Sequence, residues 1–125
     1  MAANLRELVL VGVSHKSAPV AVRERLAVSD AEMAGWLSAL RGRIPVNGAS
    51  TEAMVVSTCN RVELYVAGDD AAETAAGAKA FLCERAPGVE AALYSRAGED
   101  ALAHLFRVCA GLDSMVVGES QILGQ

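Results

Sequence analysis

Two Val-rich runs, Ala53–Ser57 and Val62–Val66, stand only four residues apart. Strands joined this closely pair antiparallel, because a parallel partner needs a crossover of roughly a dozen residues or more. The chain must therefore turn at Thr58-Cys59-Asn60-Arg61. Asn suits such a turn, since it tolerates left-handed backbone. In the second run Val62, Leu64 and Val66 alternate with Glu63 and Tyr65, the mark of a strand with unlike faces. A hairpin with a cysteine in its turn is the feature around which any fold must be built.

The flanking segments supply the remaining elements. Leu8–Val13 is a short apolar run that reads as a central strand. Ser17-Ala18-Pro19 reads as a helix start, because the first turn does not need proline's missing N–H, and a short helix to Leu26 follows. Ser29 and Glu32 have the spacing of a capping box. A helix from there puts Met33, Leu37 and Leu40 on one face and stops at Gly42. Residues 70–85 are Ala-rich and helical and end at Pro87-Gly88, and Leu93–Ser95 is an edge-strand candidate. Residues 99–111 form an amphipathic helix with Leu102, Leu105, Phe106, Cys109 and Leu112 on the expected buried stripe. The order β-α-α-β-β-α-β-α predicts an α+β fold: a ferredoxin-like, split-βαβ two-layer sandwich with an additional N-terminal helix. Residues 1–112 read as one domain and 113–125 as a connecting segment.

Composition narrows the function. Hydrophobic residues make up 53% of the 125, charged residues 21% and aromatics 4%, and alanine occurs 24 times. This describes a folded domain with a core of Ala, Val and Leu and few aromatic platforms for stacking bases. The net charge of −4 argues against a general electrostatic grip on nucleic acid. It is unevenly spread, however: residues 1–43 balance at +2 and residues 44–125 at −6. Cys59, Cys83 and Cys109 form no CxxC pair, so neither a disulfide framework nor a zinc site is expected. No apolar run approaches a membrane span and the start lacks the pattern of a signal peptide, which points to a reducing cytoplasm. Neither GxGxxG nor a P-loop motif is present.

Cys59 is the sharpest chemical candidate. A free thiol is only about 3% thiolate at pH 7, and a nearby guanidinium such as Arg61, or turn N–H groups, would raise that fraction. The other reading is a small buried residue at a strand end. His104 reads either as a general acid or base oriented by Asp100, one turn earlier, or as an exposed helix histidine. His15-Lys16, after a strand end, reads as an anion contact or a solvated loop. Cys83 and Cys109 read as packing residues. Glu119-Ser120-Gln121 and Gln125 read as amine or amide ligands or as linker.

Three blocks stand in order along the chain. They are Gly12-Val13-Ser14-His15-Lys16-Ser17-Ala18-Pro19, then Ser57-Thr58-Cys59-Asn60-Arg61-Val62-Glu63-Leu64-Tyr65, then Leu105-Phe106-Arg107-Val108 with Gly111-Leu112-Asp113-Ser114-Met115-Val116-Val117-Gly118-Glu119. Gln121-Ile122-Leu123-Gly124-Gln125 closes the chain. From about residue 8 to the end, the sequence closely resembles the N-terminal catalytic domain of the glutamyl-tRNA reductases. The resemblance implies NADPH-dependent reduction of glutamyl-tRNA to glutamate-1-semialdehyde through a cysteine thioester, for tetrapyrrole synthesis. It places the nucleophile on Cys59, a catalytic histidine on His104, and substrate contacts on Thr58, Asn60, Arg61, Ser114, Glu119, Ser120, Gln121 and Gln125. Ser120 stands where the family often has Pro. The resemblance also implies that NADPH is bound by a separate domain, that another domain forms a homodimer, and that glutamate-1-semialdehyde aminomutase is a partner. No metal and no membrane contact is implied. Two other classes fit the residues alone: a ferredoxin-like ligand-binding module, and a redox-sensing thiol domain.

Overall fold

The computed structural model describes residues 7–44 and 52–111. Four strands form one sheet: β1 (Glu7–Ser14), β2 (Glu52–Ser57), β3 (Arg61–Gly68) and β4 (Tyr94–Ala97). Their order is β2-β3-β1-β4, and every neighbouring pair is antiparallel. β3 therefore lies between β1 and β2, and β1 between β3 and β4. These are the two split-βαβ units of a ferredoxin-like α+β fold, as the element order predicts.

Four helices accompany the sheet: α1 (Val20–Leu26), α2 (Met33–Arg41), α3 (Ala71–Arg85) and α4 (Glu99–Cys109). The capping box forms ahead of α2. The Ser29 hydroxyl accepts from the Glu32 amide at 3.3 Å, and the Glu32 carboxylate accepts from the Ser29 amide at 3.0 Å. Asp70 caps α3 by accepting from the Glu73 amide at 3.0 Å. Gly77 has no alternative on α3, because a Cβ there would lie 2.5 Å from the Arg43 carbonyl oxygen.

The strand alternation divides the core in two. Val9, Val11 and Val13 of β1 and Val62, Leu64 and Val66 of β3 face α1, α2 and α3. There Trp36 meets Phe81 edge-on, with ring centroids 4.8 Å apart. The other face carries Leu10, Val56 and Tyr65 and is packed by Ala101 and Val108 of α4. The sheet is thus covered on both sides, and α4 adds a partial third layer to the expected two.

The buried stripe of α4 differs from the sequence expectation. Ala101, His104 and Val108 are buried, while Leu102 is 42% exposed, Phe106 63% exposed and Cys109 exposed. The true stripe is rotated by one residue, about 100° on a helix. Small Ala101 lets the helix approach the sheet, and His104 is drawn inward by a buried carboxylate. Cys109 is therefore not a core residue. Cys83 is half-buried against the larger core, as expected.

Candidate active site

The polar face of β3 is where the sheet becomes chemical. Arg61, Glu63 and Tyr65 point to the α4 side, and all three are buried. An ionised carboxylate buried at 0% exposure needs its lone pairs filled. Tyr65 donates to Glu63 Oε1 at 2.6 Å. Tyr94 of β4 donates to Oε2 at 2.5 Å, and Arg61 Nη1 donates to the same oxygen at 3.2 Å. His104 Nε2 lies 2.8 Å from Oε2. A carboxylate has about four acceptor sites, and Glu63 uses four.

These partners decide the charge on Glu63. Burial pushes its carboxyl up, but the hydrogen bonds from His104, Tyr65 and Tyr94 outweigh that and hold it below the usual value. Burial, and then the Glu63 charge, push both phenols up, so Tyr65 and Tyr94 stay protonated donors. An ionised carboxylate only accepts, so His104 presents an N–H at Nε2 to Glu63. Gly12 lies opposite Glu63 in the β1–β3 register. A Cβ on Gly12 would come within 2.9 Å of the Glu63 side chain and 2.5 Å of the Val62 carbonyl oxygen. The glycine makes room for the carboxylate.

Above this cluster a cavity of about 290 Å³ opens. It is lined by Ser14, Lys16, Arg61, Arg96, His104 and Arg107, among others. That volume is at the small end of ligand sites, which run from roughly 300 to 1,000 Å³. It suits a group the size of one amino acid, and its lining is cationic.

The hairpin turn lies beside it. The Thr58 hydroxyl accepts from the Asn60 amide at 3.1 Å and the Arg61 amide at 3.3 Å, closing the turn on itself. Asn60 offers its carbonyl to the His15 amide at 2.8 Å, which ties the turn to the end of β1. Arg23 of α1 donates to the Cys59 carbonyl at 2.5 Å. Cys59 itself is exposed. Thr58 and Cys59 line a second cleft of about 230 Å³ with Val20, Arg23, Glu24 and Ala27.

The site residues expected from the sequence thus separate into three groups. Arg61 and His104 meet in one cavity through Glu63. Thr58, Cys59 and Asn60 form the adjoining turn. Ser114, Glu119, Ser120, Gln121 and Gln125 lie outside the described residues, as does the connecting segment 113–125. Two expectations are corrected. His104 is buried, not an exposed helix histidine, and the carboxylate that meets it is Glu63, while Asp100 is exposed. Glu63, Tyr65 and Tyr94 are site residues that the sequence reading does not single out, because alternation separates Glu63 and Tyr65 from the apolar face without saying what covers them. The available signal was the apolar stripe of α4, which needs a second sheet face on which to bury.

Among the described residues no group of three His, Cys, Asp or Glu is placed to hold a metal ion. No helix there is long and apolar enough to cross a membrane. The described residues also offer no cradle for the pyrophosphate of NADPH. The sheet is antiparallel, and α1 follows a turn, His15-Lys16-Ser17-Ala18-Pro19, that contains no glycine.

Comparison with known proteins bears on the family and the fold. A family model described as the glutamyl-tRNA(Glu) reductase N-terminal domain matches residues 11–125. Glutamyl-tRNA reductase 2 of Anaeromyxobacter dehalogenans is 51% identical over 122 residues, covering 96% of this chain and 25% of that protein. Glutamyl-tRNA reductase of Myxococcus xanthus is 50% identical over 121 residues, covering 95% of this chain and 26% of that protein. The solved structure of glutamyl-tRNA reductase from Methanopyrus kandleri superposes with a TM-score of 0.63 at 30% identity, over 94% of this chain and 26% of that one. The chain therefore spans about a quarter of the length of these relatives. With three motifs in order, a split-βαβ sheet and matches across nearly its whole length, the chain belongs to the glutamyl-tRNA reductase family, as its N-terminal domain.

Proposed function

We propose that this domain carries out the acyl-transfer half of glutamyl-tRNA reduction, with Cys59 as nucleophile. The observation that carries the reading is the buried Arg61 guanidinium. It lines the cavity, is oriented by Glu63, and is two residues from an exposed cysteine in a fixed turn. A planar guanidinium suits a carboxylate, here the γ-carboxylate of the glutamyl group. Family membership supplies the substrate class.

In this reading the Cys59 sulfur attacks the ester carbonyl carbon of glutamyl-tRNA. The C–O bond to the terminal ribose breaks, a thioester forms, and the thiol proton ends on the released ribose hydroxyl. His104, held through Nε2 by Glu63, polarises the bound glutamyl group or moves that proton. Thr58 and Asn60 hold the turn. Glu119 takes the α-ammonium, and Ser114, Ser120, Gln121 and Gln125 complete the recognition of glutamate. Reduction with NADPH to glutamate-1-semialdehyde, the first step toward tetrapyrroles, belongs to the whole cytoplasmic protein and needs a dinucleotide-binding element beyond these residues. The same reading includes homodimerisation and handover of the aldehyde to glutamate-1-semialdehyde aminomutase.

The test is intact-mass analysis after incubation with glutamyl-tRNA. A glutamyl adduct is expected on the native chain and on Cys83→Ala and Cys109→Ala, and none on Cys59→Ser, whose hydroxyl is a far weaker nucleophile. An adduct that persists in Cys59→Ser overturns the assignment.

A further inference from the structure

The charge around the cavity exceeds what a glutamyl group can use. A glutamyl ester carries one γ-carboxylate and one α-ammonium, so its net charge is zero. Arg61 is the cation suited to the carboxylate, because it is buried and already oriented. Three more cations line the same cavity: Lys16, Arg96 and Arg107. A glutamyl group of zero net charge leaves these cations able to meet further negative charge elsewhere on the substrate.

They reach the cavity from three separate elements. Lys16 sits on the turn after β1, which is fixed at its base: the Ser17 hydroxyl accepts from the Ser14 amide at 3.0 Å, and the Ser14 hydroxyl accepts from the Lys16 amide at 3.2 Å. Arg96 stands opposite Leu10 in the β1–β4 register and so belongs to the α4 side of the sheet. Arg107 is three residues after His104 on α4, and thus on the same helix side. Lys16 and Arg96 are exposed, and Arg107 is half-buried. This convergence runs against the whole chain, whose net charge is −4 and whose residues 44–125 balance at −6. Four of the chain's 11 Lys and Arg residues line this one cavity.

We propose that Lys16, Arg96 and Arg107 form a docking rim for the phosphodiesters of the RNA 3′ end to which the glutamyl group is attached. The identity of the RNA rests on the acyl-transfer reading above; the cationic rim does not. Phosphates next to the ester are the nearest anions that such a substrate brings. A local rim of this kind also explains how an acidic domain takes an RNA-linked substrate without a general basic surface.

The test needs no catalysis. The probe is a 5′-phosphorylated CCA trinucleotide with glutamate joined to its 3′ end by a stable amide, and binding to the 125-residue chain is measured across a salt series. With three phosphates contacted, log affinity should fall against log salt with a slope of about −2, at roughly 0.7 per phosphate on single strands. The same amide on adenosine without phosphate should bind with a slope near zero. Lys16→Gln, Arg96→Gln and Arg107→Gln should each bring the trinucleotide slope about 0.7 closer to zero. Lys79→Gln, an equal charge change on exposed α3, should leave it unchanged. Equal slopes for the two probes overturn the proposal. So does a change for Lys79→Gln as large as for the rim variants, and so does displacement of the trinucleotide by low-millimolar inorganic phosphate. If the salt slope holds but no adduct forms on Cys59, the rim stands and the acyl-transfer reading falls. If an adduct forms but the slope is flat, the acyl-transfer reading stands and the rim falls.

Discussion

At the scale of single residues, Glu63 is the pivot. Its four hydrogen bonds join β3, β4 and α4, and they fix Arg61 and His104 in the cavity. Replacing it with leucine would leave a buried guanidinium without its carboxylate. Such a loss costs about 3–5 kcal/mol, which a urea midpoint would read directly. Its ionisation gives a second handle. The folded-state carboxyl is held below its unfolded value, so its contribution to stability is complete above about pH 4.5 and is lost as the pH falls through the folded value. Glu63→Gln should therefore flatten the acid limb of the stability curve while lowering the neutral plateau. An acid limb as steep as the native one would show that other carboxylates set it.

At the scale of elements, β1 and β3 are fitted to each other at one point. Gly12 faces Glu63 in the register, and the space over it is filled by the carboxylate side chain. Its backbone needs no special conformation; what it lacks is room. Gly12→Ala should cost about 1–3 kcal/mol, as overpacking does, and should displace Glu63 and with it Arg61. Chemical denaturation would give the first effect. The second would appear as weaker binding of a glutamate-bearing ligand at temperatures where the variant is still folded. A variant with native stability and affinity would mean that the strands move apart freely here. α4 makes the complementary point, because it meets the sheet through Ala101 and Val108 and delivers His104 between them.

At the scale of the whole molecule, one sheet carries two cores. The single tryptophan, Trp36, lies on the α2 and α3 side, whereas both tyrosines, Tyr65 and Tyr94, lie on the α4 side around Glu63. The same four strands back both layers, so neither can melt and leave the other's platform intact. Unfolding followed by tryptophan fluorescence and by tyrosine absorbance should give one midpoint, within error, as two-state behaviour requires. If the tyrosine transition came first, α4 and the cavity would be a separate, weaker unit.

The chain's own sequence determined the elements and the turn that bears Cys59. Those features rest on local physics. Ser29 and Glu32 cap a helix start, Asn60 and the Thr58 hydroxyl close a turn, and alternating Val62, Leu64 and Val66 define a strand face. The family resemblance likewise pointed to Cys59 and Arg61, which lie in one contiguous block, and to His104 on the predicted helix. Only the tertiary structure decided which side of α4 is buried. A rotation of about 100° separates the expected stripe from the real one, and Leu105 belongs to both. Choosing between them depends on what waits on the sheet, and that is a carboxylate 41 residues away in sequence. The same holds for the cationic mouth: Lys16, Arg96 and Arg107 are scattered over a chain that is acidic overall, and only the strand order β2-β3-β1-β4 brings them to one cavity.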